Sequence, residues 1–238
     1  MRMNTRSIFA AGTVLVLSAA PSFAAPITFT AAPDKTYQQT TNNPCVIGDT
    51  SCKEPVGMEY TVYSGTPGGD VYDSYSPSYT NTQLAGFLGS TSFIVGIDDN
   101  FSNTNETLSE FTVWYCASSC GTYDPNELDE LSPVLGNKDT VLTAAGYTEL
   151  YKTIAPFLLD TANGNGYADA ISNQIDLDSL VGNFVFEGII SGDNDGMEEF
   201  FLIPATPPVS TVPEPASLLL LGTGLFGAAA ARRKAKKQ

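Results

Sequence analysis

The sequence predicts a mainly β domain, an antiparallel β-sandwich of jelly-roll-like form, and three observations carry that prediction. Runs rich in β-branched and aromatic residues recur at 91–97, 183–190 and 198–203. Two further runs, 58–63 and 107–116, alternate apolar and polar side chains with the period of two that a half-buried strand requires. Between these runs lie stretches of Gly, Pro, Asn, Asp and Ser, residues that turn the chain for backbone reasons of their own. Short strands separated by turns build packed antiparallel sheets.

In chain order, Arg2 and Arg6 form a positive leader, residues 8–20 an apolar run, and Ser22-Phe23-Ala24 a small-residue cleavage site. Residues 1–24 thus read as a signal peptide that engages the secretion machinery and is cut by signal peptidase after Ala24. The exported β-rich domain is expected over 25–203. Residues 27–30 read as its first strand, and 31–55 as a polar loop holding Cys45 and Cys52. After the strand at 58–63, residues 64–82 read as a long loop with Tyr72, Tyr75 and Tyr79. Such tyrosines can stack on sugar rings or pack the loop against a sheet, and packing is the expectation.

The strand at 91–97 runs into the acidic turn Asp98-Asp99-Asn100 and is expected to pair with 107–116. Residues 127–131 and 139–151 have helical character, and 154–159 continues either that helix or a strand. The strands at 183–190 and 198–203 close the domain, and 204–211, with Pro207 and Pro208, reads as an extended linker.

The last segment has three parts in a fixed order. Val212, Pro213, Glu214, Pro215, Ala216 and Ser217 form a motif in which two prolines bracket one glutamate, a rigid segment without helix propensity. Residues 216–231 are apolar, with only Ser217 and Thr223 polar. As a helix rising about 1.5 Å per residue they span roughly 24 Å, slightly under the ~30 Å of a hydrocarbon core. Snorkelling basic residues cover the difference. Arg232, Arg233, Lys234, Lys236 and Lys237, in the tail 232–238, hold the basic end in the cytoplasm and leave everything before it outside.

This order resembles the PEP-CTERM sorting signal, with Pro213-Glu214-Pro215 as its triad. The resemblance implies a transient hold in the inner membrane, hand-over to an exosortase, and delivery to the cell surface or exterior. It also implies association with exopolysaccharide, which that system accompanies in Gram-negative bacteria. An ordinary membrane anchor is the competing reading. The stretches VGIDDN (95–100), GNGYAD (164–169) and DGMEEFFL (195–202) are similar to those of exported PEP-CTERM proteins. They imply a shared β-rich surface domain and transfer no catalytic residue.

Charge narrows the function. With both ends removed the basic residues are Lys35, Lys53, Lys138 and Lys152, and of 26 acids only Glu214 is lost, so the exported region carries 4 − 25 = −21. Nucleic acid is excluded as a partner, because neutralising phosphates takes lysine and arginine. Such acidity favours solubility and cations. Four cysteines in an exported chain read as disulfides, and of three pairings the local one, Cys45–Cys52 with Cys116–Cys120, is preferred. Zinc is disfavoured by the absence of histidine and by the spacings.

Two segments, 161–169 and 191–199, share oxygen-bearing side chains at positions 1, 3, 5 and 9 with glycine at 6. Calcium loops use that alternation to point oxygens into one bowl. Asn163, Asn165, Asp169, Asp193, Asp195 and Glu199 are the calcium candidates. Thr161 and Ser191 stand where an EF-hand has aspartate, and neither segment has the glutamate at position 12. A Gly/Asn-rich turn is the competing reading, and no cofactor is certain.

Catalysis has little support. Without histidine there is no Ser-His-Asp or Cys-His arrangement. Paired carboxylates for glycoside hydrolysis would have to come from residues such as Glu187, Glu198 and Glu199, whose expected place is at solvated strand ends. The sequence therefore points to a non-enzymatic surface or matrix protein, structural in biofilm or exopolysaccharide. A carbohydrate-binding module, calcium-stabilised, is the alternative, and a glycosidase comes last.

Overall fold

The computed structural model describes residues 24–62, 71–99, 106–124, 139–159, 166–192 and 198–205. The strands β1 (Ala25–Ile27), β2 (Phe29–Ala31), β3 (Cys45–Gly48), β4 (Thr61–Val62), β5 (Val71–Tyr75) and β6 (Tyr79–Thr80) lead into helix α1 (Asn81–Leu88). β7 (Ser92–Asp98) and β8 (Glu106–Cys116) follow, then helix α2 (Asp139–Ala144). β9 (Thr148–Thr153), β10 (Phe157–Leu159), β11 (Ala170–Ser172), β12 (Ile175–Asp176), β13 (Asn183–Ser191) and β14 (Glu199–Pro204) complete the described elements.

These strands form two sheets. The first runs β1-β9-β8-β13-β5, with β10 beside β8 and β6 beside β13. The second runs β2-β11-β7-β14-β3-β4, with β12 beside β7. The protein is thus mainly β, as its alternating runs predict. The sheets are mixed rather than purely antiparallel, because β1 pairs β9 in parallel and β3 pairs β4 in parallel. Both exceptions are short edge pairings that join no hairpin, so no tight turn dictates their direction.

Aromatic rings fill the space between the sheets. Phe111 of β8 stacks on Phe200 of β14 at 5.8 Å, and Phe186 of β13 meets Phe93 of β7 edge-on at 5.8 Å. Phe111 and Phe186 also stack at 6.4 Å within the first sheet. Gly188 leaves room for this packing: a Cβ there would sit 2.5 Å from the Phe200 ring.

Several expectations are overturned by this layout: the helical stretch expected at 139–151 ends at Ala144 and gives way to β9 from Thr148. Residues 91–97 and 107–116 do not pair: β7 lies between β11 and β14 in one sheet, β8 between β9 and β13 in the other. No two-residue turn of the kind that closes a hairpin separates them, and the chain changes sheet there. The single first strand at 27–30 is also two. Ile27 ends a strand of the first sheet and Phe29 begins one of the second. Between them Thr28 donates its N–H to Asn173 Oδ1 at 2.8 Å and accepts from the Asn173 N–H at 2.9 Å.

The expected loop at 64–82 contains β5, β6 and the start of α1. That helix begins with a capping box: Gln83 N–H donates to Thr80 Oγ1 at 3.2 Å, and Thr80 N–H donates back to Gln83 Oε1 at 2.8 Å. The Thr-x-x-Gln spacing was readable in the sequence. Gly89 closes the helix at φ 69°, a left-handed conformation that glycine adopts without strain. Tyr75 and Tyr79 are buried, so packing is their role. Both disulfides are the local ones, Cys45–Cys52 and Cys116–Cys120.

Candidate functional site

Six carboxylates gather at one end of the second sheet and its neighbour. β7 ends on Asp98, and Asp99 follows it. Glu106 opens β8, Asp169 precedes β11, and Glu198 and Glu199 lead into β14. All six are between 0 and 5% exposed. The expectation that Glu198 and Glu199 sit at solvated strand ends is therefore corrected. β14 is flanked by β7 and β3, and the register sets Glu199 directly opposite Asp98.

Alternation divides the acids into two groups. Asp99, Glu106 and Glu198 each offer a carboxylate oxygen, and these oxygens lie within 4.8 Å of one another. Asp98 and Glu199 point to the other side of their strands. Asp98 Oδ2 accepts the Gly166 N–H at 2.5 Å, while Asp98 Oδ1 has no hydrogen-bond partner among the described residues. Glu199 Oε1 accepts the Ser51 hydroxyl at 2.8 Å. Asp169 ties the groups together, accepting the Asp99 N–H on Oδ2 at 2.8 Å and donating its own N–H to Ile97 O at 2.7 Å.

Burial is costly for this much negative charge. It pushes the Asp98 carboxyl up to about 7, against the Gly166 hydrogen bond and with help from Asp169, Glu199 and Asp49. Burial also raises Glu199, with Asp49 adding to it and the Ser51 hydroxyl opposing it. Chemically, three converging carboxylates are hard oxygen donors of the kind that magnesium and calcium take. A second grouping, Glu199 with Cys45 and Cys52, offers no thiolate because both sulfurs are in the disulfide.

Of the calcium candidates, the structure describes Asp169 and Glu199, both at this end. Asn163, Asn165, Asp193 and Asp195 lie outside the described residues. Asp99, Glu106 and Glu198 were missed as a set, although two of them fall in the similar stretches 95–100 and 195–202. The acid pairs Asp98-Asp99 and Glu198-Glu199 were visible, but only the β7–β14 register shows that they meet.

Glu187 is elsewhere and is not a solvated strand-end acid either. It lies at 0% exposure on the outer face of the first sheet, where its Oε1 accepts the Tyr75 hydroxyl at 2.6 Å and its Oε2 the Trp114 indole N–H at 2.7 Å. Tyr75, Trp114, Val185, Leu142 and Tyr147 pack around it as a second apolar cluster.

Beside that cluster opens a cleft of about 700 Å³, lined by Glu59, Tyr60, Ser78, Thr122, Tyr123 and Asn183 among others. The Cys116–Cys120 disulfide pins its rim.

The sorting residues Val212, Pro213, Glu214, Pro215, Ala216 and Ser217, the basic residues Arg232, Arg233, Lys234, Lys236 and Lys237, and the expected span at 216–231 lie outside the described residues. So does most of the signal peptide. Among the described residues no helix is long and apolar enough to cross a membrane. Residues 211–234 match the family model of the PEP-CTERM protein-sorting motif. No characterised protein and no solved structure matches the chain.

Proposed function

We propose that this PEP-CTERM-bearing chain is an exported, non-enzymatic surface or extracellular-matrix protein, structural in biofilm or exopolysaccharide. The motif at 211–234 implies export and processing by an exosortase, and it is the observation that carries the reading. The finer account places the exported domain, a jelly-roll-like β-sandwich, outside the cytoplasm. The span at 216–231 holds it in the inner membrane until cleavage. Cross-sheet contacts such as Phe111–Phe200 support the sandwich.

Glu214 gives the test. A proline-flanked glutamate contributes nothing to insertion, which the apolar run and basic cluster supply. An enzyme can read its charge and the fixed φ angles of Pro213 and Pro215. Glu214→Ala, or joint loss of Pro213 and Pro215, is expected to leave a folded, uncleaved protein in the inner membrane, seen by fractionation and immunoblotting. Arrival at the surface at parental level and size would reduce the tail to a plain anchor.

A second reading, a carbohydrate-binding module stabilised by calcium, is favoured by the tyrosine-lined cleft and the buried acids. Asp99, Glu106 and Glu198 are the ligands this reading assigns to calcium. A ligand specific to the native state adds about 2.7 kcal/mol at a hundredfold excess over Kd, so millimolar calcium should raise the melting temperature.

In chelator the pH dependence has a defined sign. Asp98 holds its proton more tightly folded (about 7) than unfolded (3.8). Its destabilising contribution is therefore absent below pH 3.8, grows through the interval and is complete above 7. Melting temperature should fall from pH 5 to pH 8 in chelator. Equal melting with and without calcium at pH 8 would remove the metal from this account.

A further inference from the structure

The cleft beside the outer cluster has a chemistry that selects among ligands. Three tyrosines line it, and each hydroxyl is already engaged by the protein. Tyr123 donates to Ser76 O at 2.5 Å and Tyr60 to Asp49 O at 3.0 Å, while the Tyr147 hydroxyl lies 2.9 Å from Ser78 Oγ. Anchored in this way, the rings are held in place. Tyr123 and Tyr147 meet edge-to-face at 5.9 Å. Tyr60 and Tyr123 are half-buried and present fixed apolar surface at small entropic cost, while Tyr147 is buried.

Around the rings are neutral hydrogen-bonding groups. Ser78, Ser119 and Thr122 supply hydroxyls, and Asn183 supplies an amide whose Nδ2 donates to Cys120 Sγ at 3.2 Å. No lysine or arginine lines the cleft, and Glu59 is its one carboxylate among the described residues. Among the described residues an anionic ligand would meet no cation there, and a domain of strongly negative charge would repel it. A single acid is too little for paired-carboxylate hydrolysis. The volume, about 700 Å³, falls within the range of small-ligand sites.

A ligand that suits such walls has apolar faces, many hydroxyls and no charge. We infer that the cleft between Glu59–Thr61, Pro77–Ser78 and the disulfide-pinned turn at 119–123 binds a neutral oligosaccharide, with its apolar C–H faces against Tyr60 and Tyr123. The inference rests on the carbohydrate-binding reading above and gives that reading an address. Glu59 and Asn183 hydrogen-bond hydroxyls at the rim. This site is distinct from the buried acids; of them Glu199 reaches the lining electrostatically, adding to burial, Glu54 and Asp49 in raising the Tyr60 hydroxyl.

The test uses the full chain in detergent micelles on an array of neutral and uronic-acid oligosaccharides, followed by calorimetry with the best neutral tetrasaccharide. Tyr60→Ala removes a stacking surface, Glu59→Gln removes a rim acceptor's charge, and Thr122→Tyr fills the cleft from an exposed position. Val181→Ser, at an exposed site outside the lining, is the control. The parent and the control are expected to bind the neutral tetrasaccharide equally. Tyr60→Ala and Thr122→Tyr are expected to weaken it by roughly tenfold or more, with Thr122→Tyr at unchanged melting temperature and Tyr60→Ala at a lower one, since it also loses the Asp49 hydrogen bond.

Should Tyr60→Ala fail to fold, Thr122→Tyr decides alone. If the parent binds but Thr122→Tyr binds equally well, sugars are held elsewhere: the cleft assignment falls and the carbohydrate reading stands. If the parent binds no neutral oligosaccharide, or prefers uronic acids, the cleft assignment falls. Binding no saccharide at all also ends the carbohydrate reading.

Discussion

Phe186→Ala should cost the domain about 3–5 kcal/mol, the largest single loss of stability expected here. Phe186 is fully buried at the middle of β13, the strand that β8, β5 and β6 all pair with. Its ring meets three others, Tyr79 at 5.9 Å, Phe93 at 5.8 Å and Phe111 at 6.4 Å, and Phe111 in turn stacks on Phe200. Truncation leaves a cavity on both sides of the sheet interface, and the neighbours are themselves strand residues that cannot slide in. Against a typical total of roughly 5–15 kcal/mol, that loss is a large fraction of the domain's stability. Urea denaturation of the variant checks it. A cost under about 1 kcal/mol would mean that the two sheets do not pack through this ring.

Glu187→Ala should be nearly as damaging, by about 3 kcal/mol, although no apolar volume of note is lost. The side chain is buried at 0% exposure and takes two donors, the Tyr75 hydroxyl and the Trp114 indole. Alanine strips both donors of this acceptor in a place where water does not reach them. Glu187→Gln keeps the shape and one carbonyl oxygen, so it should recover part of the loss. Tyr75→Phe removes one donor and should cost less than either. The order Ala worst, Gln intermediate, Tyr75→Phe mildest is read from three denaturation curves. Equal stability of Glu187→Ala and parent would make the carboxylate a bystander.

Much of the frame was readable from local signals. The strands at 107–116, 183–190 and 198–203 announced themselves by β-branched and aromatic content, and each appears as β8, β13 or β14. The small loops between Cys45 and Cys52, and between Cys116 and Cys120, made local pairing the simplest choice, and both disulfides form. β11 and β12, of three and two residues, were too short to carry a period. Helix α1 was hidden because its tyrosine-rich approach read as loop, even though Thr80 and Gln83 spell its cap.

The candidate site was less legible, for a reason of distance along the chain. Asp98 and Glu199 are about a hundred residues apart, and only the register of β7 and β14 makes them neighbours. Glu187 looked like any strand acid until Trp114 and Tyr75 appeared on the adjoining strands. Acids were therefore assigned to water when the fold buries them. The sorting segment needed none of this, since its three parts are contiguous and Pro213-Glu214-Pro215 is read without a fold.

The most direct measurement is intact-mass analysis, with cell fractionation, of the mature protein in its own cell. The predicted result is a species that begins at Ala25, has lost the apolar run and the basic residues Arg232 to Lys237, and is recovered from the surface or medium with its two disulfides formed. A species that keeps 216–238 and stays with the inner membrane would contradict the account and leave a permanently anchored protein.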